Sequence, residues 1–409
     1  MKKLIGNAIV GQSGGPTAAI NATLSGVIRG AAEAECIGKI YGARNGIEGV
    51  LARRLIDLSA MTEQDLSLLE TTPAAALGSC RKKLPADFEG ANRKIFEDIV
   101  AVFKEYDIRY FFYIGGNDSM DTVAKLSRFT EEIGYEMRVM GVPKTIDNDL
   151  AGTDHTPGYG SAAKYIATTV QEILRDTAVY TVKAVTIVEI MGRDAGWLTA
   201  AAALPSLYSN VSPDLVYLPE VAFDWEAFYE DVEKAFEKHP NVVIAVSEGV
   251  RTAEGVYVGE GTQSGATDAF GHKYLSGTGK ALEIAVKERF GCKVRSIELN
   301  LPQRCASHLS SKTDLDESVA IGRHAVLCAD RGESGKMAVF TREPGETYRV
   351  RVDTADISKI ANAVRSVPRA YINERGNNVT PECLAYIAPL VIGEPALVFE
   401  GGLPKHFSF

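Results

Sequence analysis

The chain has 409 residues, 45% of them hydrophobic and 24% charged, with a formal net charge of -9. That length exceeds one core of ordinary size, so two domains or one large enzyme unit are expected of a soluble globular protein. The acidic balance excludes a general attraction for nucleic acid or an anionic membrane, and no run approaches the roughly 20 apolar residues that span a bilayer.

The opening Met1-Lys2-Lys3-Leu4-Ile5-Gly6 carries only a short apolar run, broken at once by Gly6 and Asn7. It reads as the start of a strand, not a secretion signal, so a cytoplasmic location is expected. A strand over Leu4–Val10 leads through a Gly-rich turn, Gly11–Thr17, into a helix over Ala18–Ile28. Further on, helical periodicity over Ala91–Tyr106, Ser119–Phe129, Ser161–Arg175, Trp225–Lys238 and Lys280–Arg289 alternates with apolar runs. These runs are strand candidates: Arg109–Ile114, Met137–Val142, Ala184–Ile190, Val242–Val246 and Val294–Leu299. Such alternation predicts parallel sheets covered on both faces by helices. There is no internal repeat or low-complexity linker, and Gly152–Gly160 is the best candidate for a crossing between domains.

Six cysteines (Cys36, Cys80, Cys292, Cys305, Cys328 and Cys383) include no C-x-x-C pair, and the six histidines show no zinc-binding spacing. The thiols are expected to be reduced and buried as small apolar groups.

In open α/β sheets, ligands sit at the carboxyl ends of strands, which directs attention to the loops after Val10, Ile114, Val142 and Ile190. The first, Gly11-Gln12-Ser13-Gly14-Gly15-Pro16-Thr17, can present backbone amides and a helix N-terminus to phosphate oxygens. The bland alternative is a simple tight turn. The second, Gly115-Gly116-Asn117-Asp118-Ser119, repeats that design and adds a carboxylate; the bland alternative makes Asp118 an N-cap worth about 1 kcal/mol. The third, Pro143-Lys144-Thr145-Ile146-Asp147-Asn148-Asp149, brings a cation, a hydroxyl and two carboxylates to the end of a buried strand. Phosphoryl transfer needs charge neutralisation and a base for the acceptor hydroxyl, and this segment supplies both. A solvated polar loop accounts poorly for that density.

Along nearly its whole length the chain resembles the phosphofructokinase family. The landmarks occur in family order: the Gly14-Gly15 turn, Gly78-Ser79-Cys80-Arg81, Gly115–Ser119, Pro143–Asp149, Met191-Gly192-Arg193, Ser247-Glu248-Gly249 and Pro302-Gln303-Arg304. The resemblance implies an α/β, phosphofructokinase-like fold: two doubly wound Rossmann-like domains with parallel central sheets. It also implies a donor domain of residues 1–158 plus about 305–360, and a sugar-phosphate domain of 159–304 plus about 361–409. By the same resemblance, Asp147 is the catalytic base that takes the proton of the sugar 1-hydroxyl, assisted by Lys144 and Thr145. Thr145 and Asp149 order its loop and the metal region. Met191, Gly192, Arg193, Glu248 and Arg304 belong to the sugar-phosphate site, where the guanidinium fork suits a phosphate dianion. Arg295 matches an arginine that reaches in from a neighbouring subunit, which implies a homodimer or homotetramer with a shared active site. Gly14, Gly15, Arg81, Asp118, Ser119 and Lys144 fall on the donor side.

Asp118 and Lys144 point to pyrophosphate. ATP-using members carry glycine in place of Asp118 and lack Lys144. A carboxylate there fills space near a nucleotide α-phosphate and repels it, whereas pyrophosphate has no such group. The expected reaction is pyrophosphate + fructose 6-phosphate ⇌ phosphate + fructose 1,6-bisphosphate. Mg²⁺ is the implied cofactor, held mainly by pyrophosphate oxygens near Asp118 and Asn117, the latter standing where the family usually has an acid. Of two arginines that regulatory members carry in the first helix, only Arg29 is present, the other position being Ser25; allosteric control is therefore expected to be weak or absent. The family's subunit-crossing arginine ahead of Met191 falls near Ala184, next to Lys183. Rival readings are an ATP-dependent enzyme, a sedoheptulose 7-phosphate kinase and a non-catalytic regulatory subunit.

Overall fold

The computed structural model describes residues 3–260, 277–360 and 363–409. Met1 and Lys2 of the expected opening strand, and residues 261–276 and 361–362 of the expected second domain, lie outside the described residues. The chain runs through β1 (Gly6–Gln12), α1 (Ile20–Glu33), β2 (Ile37–Ala43), α2 (Gly46–Leu51), β3 (Leu55–Asp57), α3 (Glu63–Glu70), α4 (Gly90–Glu105), β4 (Ile108–Gly115), α5 (Asn117–Glu132) and β5 (Arg138–Pro143). It continues with α6 (Tyr159–Thr177), β6 (Ala184–Ile190), α7 (Trp197–Ala201), β7 (Leu215–Tyr217), α8 (Trp225–Phe236), β8 (Asn241–Ser247), α9 (Thr278–Phe290), β9 (Lys293–Glu298) and α10 (Pro302–Cys305). The last part holds α11 (Lys312–Asp330), β10 (Lys336–Arg342), β11 (Val350–Asp356) and α12 (Pro381–Ile387).

The strands form two main sheets, one ordered β11-β10-β5-β4-β1-β2-β3 and one ordered β7-β8-β6-β9. All pairs in the smaller sheet are parallel. The larger is parallel from β10 to β2 but carries antiparallel edges, β11 on β10 and β3 on β2. These edges depart from the wholly parallel sheets expected. For β11 the cause is chain length: residues 343–349 between β10 and β11 are too few for the crossover of a dozen or more that a parallel pair requires.

Both faces of each sheet are covered, which explains the near-continuous apolar runs of the central strands. On one face of the larger sheet, Val27 and Ile28 of α1 and Ile321 and Ala325 of α11 join Val10 and Phe112. On the other, Phe96 and Phe103 of α4 and Phe129 of α5 pack with Ile9, Phe111 and Val139. The smaller sheet has α6, α7 and α12 on one face, through Ile166, Trp197 and Leu384, and α8 and α9 on the other, through Phe228 and Leu282. Of the cysteines, four are buried, Cys292 is half-buried and Cys305 is exposed; all are free. The expectation that every thiol is buried therefore fails at Cys305, which sits on the short surface helix α10.

Candidate active site

Strands β1, β4 and β5 are neighbours and parallel, so the loops after Gln12, Gly115 and Pro143 emerge side by side. In the smaller sheet β6 and β8 are likewise neighbours, which sets Met191–Arg193 beside Glu248. Between these strand ends lies a cleft of about 490 Å³. It is lined by Gly14, Gly15, Arg81, Asn117, Asp118, Ser119, Lys144, Thr145, Asp147, Asp149, Met191, Arg193, Glu248 and Arg304. These residues, from seven separate stretches of sequence, are thus brought to one cavity.

The loops that follow β1, β4 and β5 are tied to one another. The Lys144 backbone N–H donates to the Gly115 carbonyl at 3.0 Å, and its Nζ donates to the Gly15 carbonyl at 2.6 Å. Gly14 adopts φ +77, and an added Cβ would lie 3.2 Å from Lys144 Nζ, so a glycine serves both the backbone and the ammonium. Lys144 is 3% exposed. Burial pulls its pKa down to about 8, with Asp147 and Asp149 opposing. Asp118 is the second residue of α5, whose N-cap position is held by Gly116, which removes the N-cap alternative. Instead it pairs with Lys83 at 2.9 Å. This pair is partly exposed, so it contributes a fraction of a kcal/mol to about 1 kcal/mol in stability, but it offsets the carboxylate's charge at the mouth of the cleft.

On the facing side, the Gly192 N–H donates to Glu248 Oε1 at 3.3 Å, and Ser247 Oγ donates to the Gly192 carbonyl. Gly192 itself does not line the cleft; it shapes the turn that does. Its φ is +137, and a Cβ would sit 2.6 Å from the Ala195 carbonyl oxygen. The Met191 N–H donates to buried Gln303 Oε1 at 3.2 Å, linking this turn to α10. Arg304 on the same helix lies 3.4 Å from where a Cβ on Gly15 would stand, so it faces the Gly14–Gly15 turn across the cleft. Burial, and then the positive charge of Arg81, lower its pKa.

Asp147 lies between the two sides. Its backbone N–H donates to Thr145 Oγ1 at 3.1 Å, and Thr145 Oγ1 donates to Asp147 Oδ2 at 3.3 Å. Burial raises the Asp147 pKa, opposed by the Thr145 hydroxyl and Lys144. Asp149 is pushed up to about 7 by burial and then by Asp147, and Glu248 to about 8, mainly by burial. The cleft gathers five basic groups (Arg81, Lys83, Lys144, Arg193, Arg304) against five acidic ones (Asp118, Asp147, Asp149, Asp194, Glu248). Two of the acids are neutralised by ion pairs, Asp118 by Lys83 and Asp194 by Arg251, and others are biased toward the protonated form. An acidic chain therefore holds a cavity suited to phosphate anions.

Arg295 is not brought to this cleft. It is exposed on the edge strand β9, opposite Thr186, and lines a separate groove with Tyr180, Val182 and Lys293. Lys183 lies over the Phe236 ring at 4.6 Å. Sequence reasoning missed Lys83 and Asp194 as cleft residues, and gave Gln303 no task. Lys83 is hidden in Arg81-Lys82-Lys83, which reads as a solvated basic run; only its partner on α5 singles it out.

Among the described residues no group of three or more His, Cys, Asp or Glu side chains is arranged to hold a metal ion. Asn117 Oδ1 is buried without a hydrogen-bond partner, and Asp118 is nearby. Such a sparse oxygen set fits a hard divalent cation that arrives with most of its ligands on the substrate.

A phosphofructokinase family profile matches residues 7–326. The chain is 44% identical to a pyrophosphate–fructose 6-phosphate 1-phosphotransferase of Halomonas elongata, covering 98% of this chain and 95% of that one. It is 42% identical to the protein of the same name from Xanthomonas campestris, covering 98% and 96%. The crystal structure of a pyrophosphate-dependent phosphofructokinase from Nitrosospira multiformis superposes with a TM-score of 0.88 at 38% identity, covering 98% of this chain and 96% of that chain. The chain belongs to the phosphofructokinase family.

Proposed function

We infer that the chain transfers a phosphoryl group reversibly from pyrophosphate to the 1-hydroxyl of fructose 6-phosphate, giving fructose 1,6-bisphosphate and phosphate. The observation that carries this reading is a half-buried carboxylate, Asp147, seated between two phosphate-suited walls, with Lys144 bonded to the Gly14–Gly15 turn. The names of its full-length relatives support the same donor and acceptor.

In this reading the sugar 6-phosphate is held by Arg193 and Arg304, and the sugar hydroxyls by Glu248. Asp147 removes the proton of the 1-hydroxyl as that oxygen attacks phosphorus. The P–O–P bond breaks, and phosphate leaves with the bridging oxygen. A carboxylate whose pKa is raised by burial is a better match for an alcohol proton than one at its ordinary value. Thr145 orients it. Lys144, Arg81 and the amides of Gly14, Gly15 and the α5 N-terminus near Ser119 neutralise charge on the donor. Mg²⁺, bound chiefly by pyrophosphate with Asn117 and Asp118 close by, would supply charge neutralisation of the leaving phosphate.

The larger sheet with residues 1–158 and about 305–360 serves as the donor domain, and residues 159–304 with about 361–409 as the sugar domain. A homodimer or homotetramer would bring Arg295 of one subunit to the sugar site of another. Its exposure on an edge strand supports this, as do the exposed apolar Val179 (71%), Tyr180 (54%) and Val182 (60%). Weak or absent effector control is supported by Arg29, which is closed off by Glu63 and by Glu70 at 3.1 Å. No helix among the described residues is long and apolar enough to cross a membrane, in keeping with a cytoplasmic enzyme.

An aldolase-coupled assay with fructose 6-phosphate, comparing pyrophosphate with ATP, tests the reading. Turnover with pyrophosphate is expected. Turnover with ATP alone would overturn the donor, and no turnover with either would overturn the reaction.

A further inference from the structure

Asn148, between the two aspartates of the catalytic loop, is fully buried and adopts the left-handed conformation, φ +55. Its backbone alone does not hold that shape. Its Oδ1 accepts from the Thr156 N–H at 3.1 Å, and its Nδ2 donates to the hydroxyl of Tyr386 at 3.0 Å. Tyr386 belongs to α12, more than 200 residues along the chain, in a segment to which the established chemistry gives no task.

The Tyr386 hydroxyl is saturated. It donates to the Asp154 carbonyl at 2.7 Å and accepts from Asn148 and from Arg365 Nη2 at 3.2 Å. A phenol oxygen offers one donor and two acceptor sites, so no capacity is left for water. Arg365 also holds the loop directly: its backbone N–H donates to the Asp149 carbonyl at 2.7 Å, and its side-chain Nη1 to the Asn148 carbonyl at 3.4 Å. The guanidinium is itself fixed over the Trp197 ring at 4.4 Å, and the Arg365 backbone carbonyl accepts from Trp197 Nε1 at 3.1 Å. The Tyr386 ring is packed against Trp197 and lies under Arg342 at 4.5 Å.

We propose that Tyr386 and Arg365 are positioning residues for phosphoryl transfer: the C-terminal segment grips Asn148 and thereby sets where the Asp147 carboxylate stands. The observation is a buried four-way junction on the catalytic loop, built from a part of the chain that touches no reacting atom. The proposal rests on Asp147 acting as the base. Its consequence is specific. Loss of the Tyr386 hydroxyl leaves the phosphate-binding groups in place but lets the 147–149 turn relax, so the rate of the chemical step should suffer while substrate affinity does not.

The test is Tyr386→Phe in the full chain, which keeps the ring and deletes the oxygen. With fructose 6-phosphate and pyrophosphate, kcat should fall on the order of 10-fold, with both KM values within about twofold of the parent. Tyr371→Phe, at a neighbouring ring without a bond to the loop, serves as control and should leave kcat unchanged. Arg365→Lys, which keeps the charge but removes the fork, should give the same loss confined to kcat and keeps the proposal testable if the first variant folds poorly. A kcat within twofold of the parent in a folded variant would overturn the proposal, as would a loss that appears in KM or only as a smaller folded fraction. Asp147→Asn measured in the same assay separates the two ideas: if that variant keeps its turnover, the assignment of the base has failed, independently of Tyr386.

Discussion

Two regions of the molecule present arginine where a phosphorylated ligand could bind, and they differ in what faces the guanidinium. In the cleft, the pKa of Arg304 is lowered by burial and then by the like charge of Arg81, which outweigh the opposing charge of Asp147. On α1, the pKa of Arg29 is raised above its ordinary value; burial opposes this, but the hydrogen bonds that Arg29 donates to Glu63 and Glu70 prevail. Arg304 is held in readiness for an anion, whereas Arg29 already has two. The fold thus sets Arg304 beside a like charge in the cleft, and silences Arg29 by supplying two carboxylates.

Changes that alter the charge of the donor wall should have the largest effect. Asp118→Gly combined with Lys144→Gly should lower kcat/KM for pyrophosphate by roughly 10³-fold and admit measurable turnover with ATP. Steady-state assays with both donors check this. Undetectable ATP turnover in a folded protein would show that space and charge at these two positions do not suffice to select the donor. Next is Arg304→Met, which should raise KM for fructose 6-phosphate by about 100-fold, as expected for lost charge-assisted hydrogen bonds. An unchanged KM would remove Arg304 from the sugar site and weaken the contrast with Arg29.

The pH profile gives a smaller, graded effect. Lys144, held near 8, is cationic below that value and neutral above it. Hence kcat/KM for pyrophosphate should fall by roughly tenfold per unit as pH rises beyond about 8. On the acid side kcat should fall as Asp147 gains its proton, at a pH above the ordinary carboxylate range because its pKa is raised. A rate flat from pH 5 to 10 would contradict both assignments. The smallest effect concerns the silent corner. Glu63→Gln with Glu70→Gln should leave turnover within about twofold, but sulfate should now raise the variant's melting temperature by about 1–2 °C and the parent's by less.

Much of the cleft is legible because its residues occur in short dense runs at strand ends. Gly14-Gly15, Asn117-Asp118 and Lys144–Asp149 each end a strand of the larger sheet, and that adjacency follows from β1, β4 and β5 being neighbours. The six expected strands are present as β1, β4, β5, β6, β8 and β9. Strand β2 is obscured by Gly38 and Gly42 and by exposed Lys39, and β11 by its alternating polar residues at the sheet edge. What sequence order cannot reveal is partnership at long range. Asp118 meets Lys83, Met191 meets Gln303, and Asn148 meets Tyr386, and none of these pairs is signalled by spacing. The charge argument from Asp118 against ATP is weaker than the sequence alone implies, because Lys83 offsets it; the space it fills is unaffected.

The central claim is that Asp147 is the base, and the most direct measurement is kcat of Asp147→Asn with saturating fructose 6-phosphate and pyrophosphate. That change removes the proton acceptor at nearly constant shape. The account predicts a fall in kcat of about 10²- to 10⁴-fold with KM values within a few-fold of the parent. Near-parental turnover in the folded variant would contradict it.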